Sequence, residues 1–517
     1  MVPNSAGGFS FALDDWKRFE RFLILGSEGG AYYIAEHALT RENAAVAERC
    51  IRADGPRAVA MISSISVAGR AAKNDPALFA LALAAALGDE RTRALAFHEL
   101  PSVARTGTHL FHFLDYAQGL RGWGRGLRRA VARWYTWKDA DDLAYQVVKY
   151  QQRDGWSHRD ALVLAHPKSE ALNPIFRWVM TGELAGAPDL LQAFDAARRV
   201  GSEAELLQIL AACHLPWEAV PTEWLKSAAV WKALLPSLPM TALLRNLGRM
   251  TAAGALAPGS EEASAVVSRL YDGAAIRHAR LHPLSILGAL KVYGQGHGER
   301  GHLSWTPVSE ILDALEKAFY LAFQYVEPTR KRMMLALDVS GSMDSGEIAG
   351  MPGITPRIGS AAMAMVTRAV EENTLVTIFS NGRYTNYSAG RQTEVEDGIT
   401  PLDLGKTDRL ESVIARLSGL PFSGTDCALP MLYATQHRLP IDVFVVYTDS
   451  ETWAGRIHPV QALKRYRELM GIPAKLVVVG MTSNGFSIAD PNDAGMLDVV
   501  GFDSATPALI SNFALME

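Results

Sequence analysis

From about residue 10 to residue 325, apolar residues recur three and four positions apart, the spacing of one buried helix face. Ala and Leu dominate this stretch, and Gly or Pro punctuates it at intervals of roughly 15–25 residues. The pattern predicts helix after helix, joined by short loops and stacked as pairs in the manner of degenerate helical repeats. One such run, Leu143 to Val148, follows a candidate cap at Asp139 and is read as continuing to Gly155. Ser157, with Asp160 three positions on, signals a capping box for the next helix, which His166-Pro167 ends.

The period changes after Glu327-Pro328-Thr329-Arg330. Met333 to Leu337, Leu375 to Phe379, Val443 to Tyr447 and Lys475 to Val479 are short apolar runs, with helical stretches near 357–371, 408–417 and 458–470 among them. Strands alternating with helices predict a mainly parallel sheet covered on both faces. The expected organisation is therefore an α-helical repeat module over residues 1–330 and an α/β domain over 331–517.

Composition narrows the class. With 49% hydrophobic and 21% charged residues the chain can bury a core. Cys50, Cys213 and Cys427 form no C-x-x-C pair, which argues against a disulfide framework or a cysteine zinc site and for a reducing compartment. The N-terminus lacks a basic segment followed by an apolar block, and the longest apolar run, Ala77 to Leu87, is too short to cross a bilayer. A cytoplasmic protein with no membrane partner is expected. The net charge of −4 excludes a uniformly basic nucleic-acid coat protein. It conceals an asymmetry, however: residues 331–517 hold 15 Lys and Arg against 21 Asp and Glu, leaving 36 against 34 in residues 1–330.

Two segments carry candidate chemistry. The first apolar run of the α/β half leads into Asp338-Val339-Ser340-Gly341-Ser342, at the carboxyl end of a strand, where ligands bind in open α/β sheets. Asp338, Ser340 and Ser342 can turn three oxygens toward one point, and a hard cation such as Mg2+ needs further oxygens from neighbouring loops. Thr425, in Ser423-Gly424-Thr425-Asp426, and Asp449, after Val443 to Tyr447, are placed to supply them. Two other chemistries fail on spacing. Gly405-Lys406-Thr407 lacks the phosphate-loop glycine, with Thr400 in its place, and Asp338 stands where a nucleophile elbow needs Gly. His278 and His282, four apart, lack the surrounding residues of a metalloprotease helix. With no catalytic constellation assignable, the chain is not expected to be an enzyme.

The second segment is 121–133, with five arginines and no acid. Arg121, Arg125, Arg129 and Arg133 fall four apart, and the helical part after Gly126 places Arg129 and Arg133 on one face. Lys149 and Arg153 repeat the spacing on what reads as the next helix, followed by Trp156, His158 and His166. Basic groups interleaved with aromatic rings suit RNA phosphates and unpaired bases. A solvated helix face with Trp123, Trp134 and Trp156 in the core would show the same composition.

The helical half, arginine segment and metal-type loop together resemble the Ro autoantigen family of TROVE-domain proteins, its bacterial members in particular, over nearly the whole length. The resemblance rests on Arg21 to Tyr33 (RFLILGSEGGAYY), Arg105 to Tyr135 (RTGTHLFHFLDYAQGLRGWGRGLRRAVARWY), Lys149 to Pro167 (KYQQRDGWSHRDALVLAHP), and ALDVSGSM, SGTDCALPM and VVYTDSETWAG. It implies a ring of HEAT-like repeats closed by a von Willebrand factor A-like domain. Its metal-ion-dependent adhesion site would comprise Asp338, Ser340, Ser342, Thr425 and Asp449. The SGTD stretch departs slightly from the GGTD-like sequence expected there and leaves Thr425 in place. The family binds small noncoding Y RNAs on the outer face and single-stranded ends of misfolded RNA in the central hole. Its bacterial members associate with an exoribonuclease, polynucleotide phosphorylase, through the RNA. Lys149, Arg153 and His166 match positions the family uses for Y RNA. The expected function is a non-catalytic RNA-binding scaffold for RNA quality control. The alternative is a metal-dependent protein-interaction adaptor without an RNA role.

Overall fold

The structure is a computed structural model that describes residues 2–3, 9–10, 15–26, 31–33, 44–71, 73–298, 302–348, 351–380, 384–388, 391–395, 398–405, 407–418, 425–449, 457–482, 488–490, 493–502 and 504–516. Up to Tyr325 it is almost entirely helical, and local signals account for many helix starts. Asp54, Asp89, Thr106, Asp139, Ser157, Ser202 and Ser260 each accept a hydrogen bond from a first-turn amide that would otherwise lack a partner. The most apolar helix, Asp75–Leu87, is buried on every side from Pro76 to Ala85. Helices Asp15–Leu25, Ala45–Ala53, Gly55–Val67, Glu90–Val103 and Gly107–Leu120 enclose it, which explains an apolar run with no polar stripe. Among the described residues no helix is long and apolar enough to cross a membrane.

Among the described residues, seven strands form the sheet of the α/β half: β1 (Ala31–Tyr33), β2 (Met333–Asp338), β3 (Thr374–Phe379), β4 (Ile399–Pro401), β5 (Val443–Thr448), β6 (Lys475–Gly480) and β7 (Met496–Val500). Their order is β4-β3-β2-β5-β6-β7-β1, parallel throughout except for the edge strand β4. The four apolar runs singled out in the sequence are β2, β3, β5 and β6. Strand side chains alternate between faces, and here both faces are buried. Leu335, Leu337, Val445, Tyr447, Val477 and Val479 join one apolar core with the helical half. Met334, Ala336, Phe444, Val446, Leu476 and Val478 pack in a second core with residues of helices Leu429–Gln436 and Pro459–Met470. One continuous core therefore spans both parts of the chain.

The sheet is not confined to residues 331–517. Strand β1 comes from the N-terminal segment and pairs in parallel with β7, Ala31 opposite Asp498 and Tyr33 opposite Val500. Arg21, on helix Asp15–Leu25, is buried beside β7. Its guanidinium donates to the carbonyl oxygens of Asp493 (3.1 Å) and Met496 and lies over the Phe513 ring. Burial lowers its pKa to about 10, an effect opposed by the carboxylates of Asp493, Asp498 and Asp490. At the other end of the helical half, Ala322–Tyr325 packs on helix Pro356–Val370. The helical half thus begins and ends against the same α/β unit.

Candidate RNA interface and metal-site loop

Helix Arg125–Thr136 turns Leu127, Ala130, Val131, Trp134 and Tyr135 into the core, leaving Arg125, Arg128 and Arg129 exposed and Arg133 half-buried. It lies close against helix Glu90–Val103 because Gly126 has no side chain: a Cβ there would meet the Phe97 ring at 2.6 Å. Among the described residues no carboxylate lies within ion-pair distance of Arg125, Arg129 or Arg133. Arg121 differs from these three. It caps helix Gly107–Leu120, and its Nη1 lies 3.4 Å from the carbonyl oxygens of Ala85 and Ala86, at the negative end of the apolar helix.

Lys149 and Arg153 do not share a helix. Helix Ala140–Lys149 stops at Lys149, and Gln152–Arg153 pairs antiparallel with Trp156–Ser157 in a small hairpin. The turn is Asp154-Gly155, with φ of 53° and 76°. Two successive positive φ values are what a tight hairpin turn demands, and Asp-Gly is its sequence signature, so this signal was present and outweighed by helical spacing. The hairpin is tied down by Asp154, whose carboxylate is 2.6 Å from His112 Nδ1. The Lys149 ammonium donates to the Tyr145 hydroxyl at 2.8 Å. Burial acts to lower its pKa, but that hydrogen bond and Glu218 outweigh it and hold the group above its ordinary value. The capping box at Ser157 and Asp160 is formed, and exposed His166 ends the helix in a left-handed conformation.

His158, grouped in the sequence with the basic surface, is instead a core residue. It is 3% exposed, with Nδ1 2.8 Å from the Tyr135 hydroxyl and Phe111 and Trp134 beside it. Burial pushes its pKa down to about 4. Trp134 is likewise core, whereas Trp123 and Trp156 are half-buried, with ring centroids 5.6 Å apart. This contact has the largest consequence for the surface. Trp156 is the cross-strand partner of Arg153, and Trp123 stands two residues before Arg125. The ring pair therefore brings two separate basic segments side by side.

A cavity of about 740 Å3 lies where helices Met240–Ala252 and Pro283–Gly294 approach the α/β half at Met351, Pro352, Ser504 and Ala505. Arg245, Arg249, Arg280 and His282 line it above an apolar wall that includes Leu244, Tyr293 and Trp305, and among the described residues no acid does. His282 caps the start of helix Pro283–Gly294, Nδ1 accepting from the Leu284 amide. His278 and His282 do not share a helix. The sequence offered no signal for this cavity, since its arginines are scattered in the chain.

At the end of β2 the Asp338 carboxylate is 1% exposed. Oδ1 accepts from the Ser340 amide and Oδ2 from the hydroxyls of Thr425 and Thr448, each at 2.8 Å, while the hydroxyls of Ser340 and Ser342 lie 3.1 Å apart. Asp338, Ser340, Ser342 and Thr425 thus form one hydrogen-bonded group. Asp449, next along β5, is tied by its carbonyl to Thr482. Thr448 was not singled out in the sequence, although the last inward position of a buried strand is where such a hydroxyl belongs. Ser423, Gly424, Ser450, Glu451 and Lys406 lie outside the described residues.

The loop is held from below by Arg357, a fully buried arginine that donates to Asp344 (2.6 Å) and to the carbonyl oxygens of Ser340 (3.1 Å) and Leu417 (3.2 Å). Among the described residues no charged group appears among the hydrogen-bond partners of Asp338. Burial pushes its pKa up, against the hydrogen bonds that pull it down. Among the described residues no three His, Cys, Asp or Glu side chains converge on a point. The donor set is therefore hydroxyl and carboxylate oxygen around one buried carboxyl, which fits a hard cation that keeps its waters and not a softer metal.

The chain has counterparts among known proteins along its whole length. A TROVE domain model matches residues 2–186 and 213–292, and a Ro60 vWA domain model matches 332–514. The chain is 42% identical to RNA-binding protein RO60 of Deinococcus radiodurans over 525 residues, covering 100% of this chain and 96% of that protein. It is 35% identical to RNA-binding protein RO60 of Caenorhabditis elegans over 597 residues, covering 99% and 90%. The crystal structure of Deinococcus radiodurans RO (RSR) protein superposes with a TM-score of 0.90, over 97% of this chain and 99% of that one.

Proposed function

Because the chain belongs to the family of TROVE-domain proteins named RO60, with their vWA domain, we propose that it is an RNA-binding scaffold without catalytic activity. The observation that carries this reading is the Trp123–Trp156 contact, which sets Arg153 of the hairpin beside the arginine helix. Arg125, Arg129, Arg133, Lys149, Arg153 and His166 would hold a structured small RNA of the Y-like class. Arg121, partly engaged with a helix end, contributes less. The arginine-lined cavity supports a second contact, with single-stranded ends of misfolded RNA. A scaffold holding a folded RNA outside and a loose end inside would serve RNA quality control, presenting ends to an exoribonuclease such as polynucleotide phosphorylase through the RNA.

The test is RNA binding at graded salt. Each phosphate neutralised by Lys or Arg releases counterions, so affinity for a structured RNA should fall steeply with salt, and Ala at Arg125, Arg129, Lys149 and Arg153 should weaken it while the fold persists. Equal affinity of that variant and the parent at every salt concentration would reject the reading. Ala at Arg245 and Arg249 should weaken binding of an unpaired oligonucleotide and spare the folded RNA.

The Asp338 group supports a divalent cation, Mg2+ by its oxygen donors, with Asp338, Ser340, Ser342, Thr425 and Asp449 in its inner or water-mediated shell. Such a cation would offset the buried carboxylate and leave a coordination position for a partner's carboxylate. Mg2+ should therefore raise the melting temperature of the parent and not of Asp338→Asn. Partners that stay bound after nuclease treatment and leave on chelation would favour the protein-adaptor reading.

A further inference from the structure

The arginine helix does not end in arginine. Arg125, Arg129 and Arg133 form an i, i+4 row, and the next position in that row is Trp137, the cap of the helix, whose amide still donates to the Arg133 carbonyl at 2.8 Å. Trp137 is 63% exposed, unlike Trp134 one turn earlier, which is wholly buried. Large aromatic residues seldom stay in water on a helix whose other apolar groups are inside. The Arg133 guanidinium lies over the Trp137 ring, 5.2 Å from its centroid, which helps to hold the indole against the end of the row.

The row has a direction. Its length, twelve residues at about 1.5 Å each, is roughly 18 Å, enough for several nucleotides. It starts beside the Trp123–Trp156 contact with the hairpin of Arg153. Beyond Trp137 come Lys138, paired with Asp142 at 3.3 Å, and exposed Asp139 and Asp141, so the stretch is acidic on balance and would repel a phosphate. Phosphates are favoured up to Arg133 and disfavoured after Asp139. Between them Lys138 is folded back over the Trp134 ring, and what stands exposed is the uncharged face of Trp137, the partner of a base and not of a phosphate.

We propose that Trp137 is a stacking platform for an unpaired nucleobase, at the point where an RNA strand laid along Arg125, Arg129 and Arg133 leaves the protein. The site reads an unpaired base by its flat face and so tolerates any base identity. This rests on the arginine helix being an RNA surface, as proposed above.

The experiment measures affinity of the full-length protein for a structured RNA carrying a short unpaired extension, at several salt concentrations, for the parent, Trp137→Ala, Trp137→Phe and Arg129→Ala. Loss of one base stack should weaken Trp137→Ala about tenfold. Trp137→Phe should recover most of the loss, and an extension of abasic nucleotides should erase the difference between parent and Trp137→Ala. Stacking releases no counterions, so Trp137→Ala should keep the parent's salt slope while Arg129→Ala lowers it by about one. If Trp137→Ala binds like the parent, or loses affinity equally on abasic RNA, or is not rescued by Phe, the platform is rejected. The arginine surface stands or falls separately, on the Arg129→Ala slope. RNA affinity unchanged in every variant would reject both.

Discussion

At the scale of single residues, the chain holds several ionisable groups partly or wholly out of water, and their cost depends on pH. Burial holds His109, His158 and His282 at a pKa of about 4. In the unfolded chain each would titrate near its ordinary value of about 6.5, so between there and pH 4 the unfolded state binds protons that the folded state refuses. Stability is full above about pH 6.5 and falls as pH drops through this window, by as much as roughly 3 kcal/mol per histidine. Urea denaturation from pH 7 to pH 4 should show that loss, and His158→Gln should flatten it; a midpoint independent of pH would contradict the burial. Arg357 poses the complementary case, a permanent cation with no exposed surface. Arg357→Met strands the Ser340 and Leu417 carbonyls and should cost about 2–3 kcal/mol. It should also abolish any Mg2+-dependent rise in melting temperature, because the turn that presents Ser340 and Ser342 loses its brace.

At the scale of elements, the arginine helix and the Asp154-Gly155 hairpin act as one surface only while the hairpin is held. His112→Ala removes one of two partners of Asp154, the other being Arg153 itself at 3.6 Å, and should weaken structured-RNA binding about as much as Arg153→Ala does, with the double variant little worse than either; additive losses would show that the clamp does not act through Arg153. The same elements show where sequence reasoning reached and where it stopped. Asp139 and the Ser157–Asp160 box were legible because a cap is a bond between residues three apart. The four central strands were legible because both sheet faces are buried and their apolar runs are unbroken. The hairpin was missed because its strands are two residues long and show no alternation, leaving only Asp-Gly to betray it. His158 was misplaced because its neighbours in sequence are basic, whereas its neighbours in space are Phe111, Trp134 and Tyr135. The donors Asp338, Ser340, Ser342 and Thr425 were legible as a motif, and Thr448 emerged only once β5 was seen beside β2.

At the scale of the whole molecule, neither half is complete alone. Strand β1 and Arg21 carry the N-terminal segment into the far edge of the sheet, a pairing between residues too distant for any local pattern to announce. Arg21→Ala leaves two carbonyl oxygens without their donor and removes a buried cation that Asp490, Asp493 and Asp498 act on, and should cost about 3 kcal/mol. Small-angle scattering should then show a larger radius of gyration, while an unchanged radius and midpoint would mean that the strand pairing alone suffices. The join also has a history. Ala31 leaves the ribosome long before its partner Asp498, by most of a minute at about 10 residues per second. The helical arc is therefore finished while its clasp does not yet exist, and a three-residue edge and a cation destined for burial wait in the open until the last strand arrives. A message that stalls or ends before Met496 would release an arc that can pack its helices but never shut.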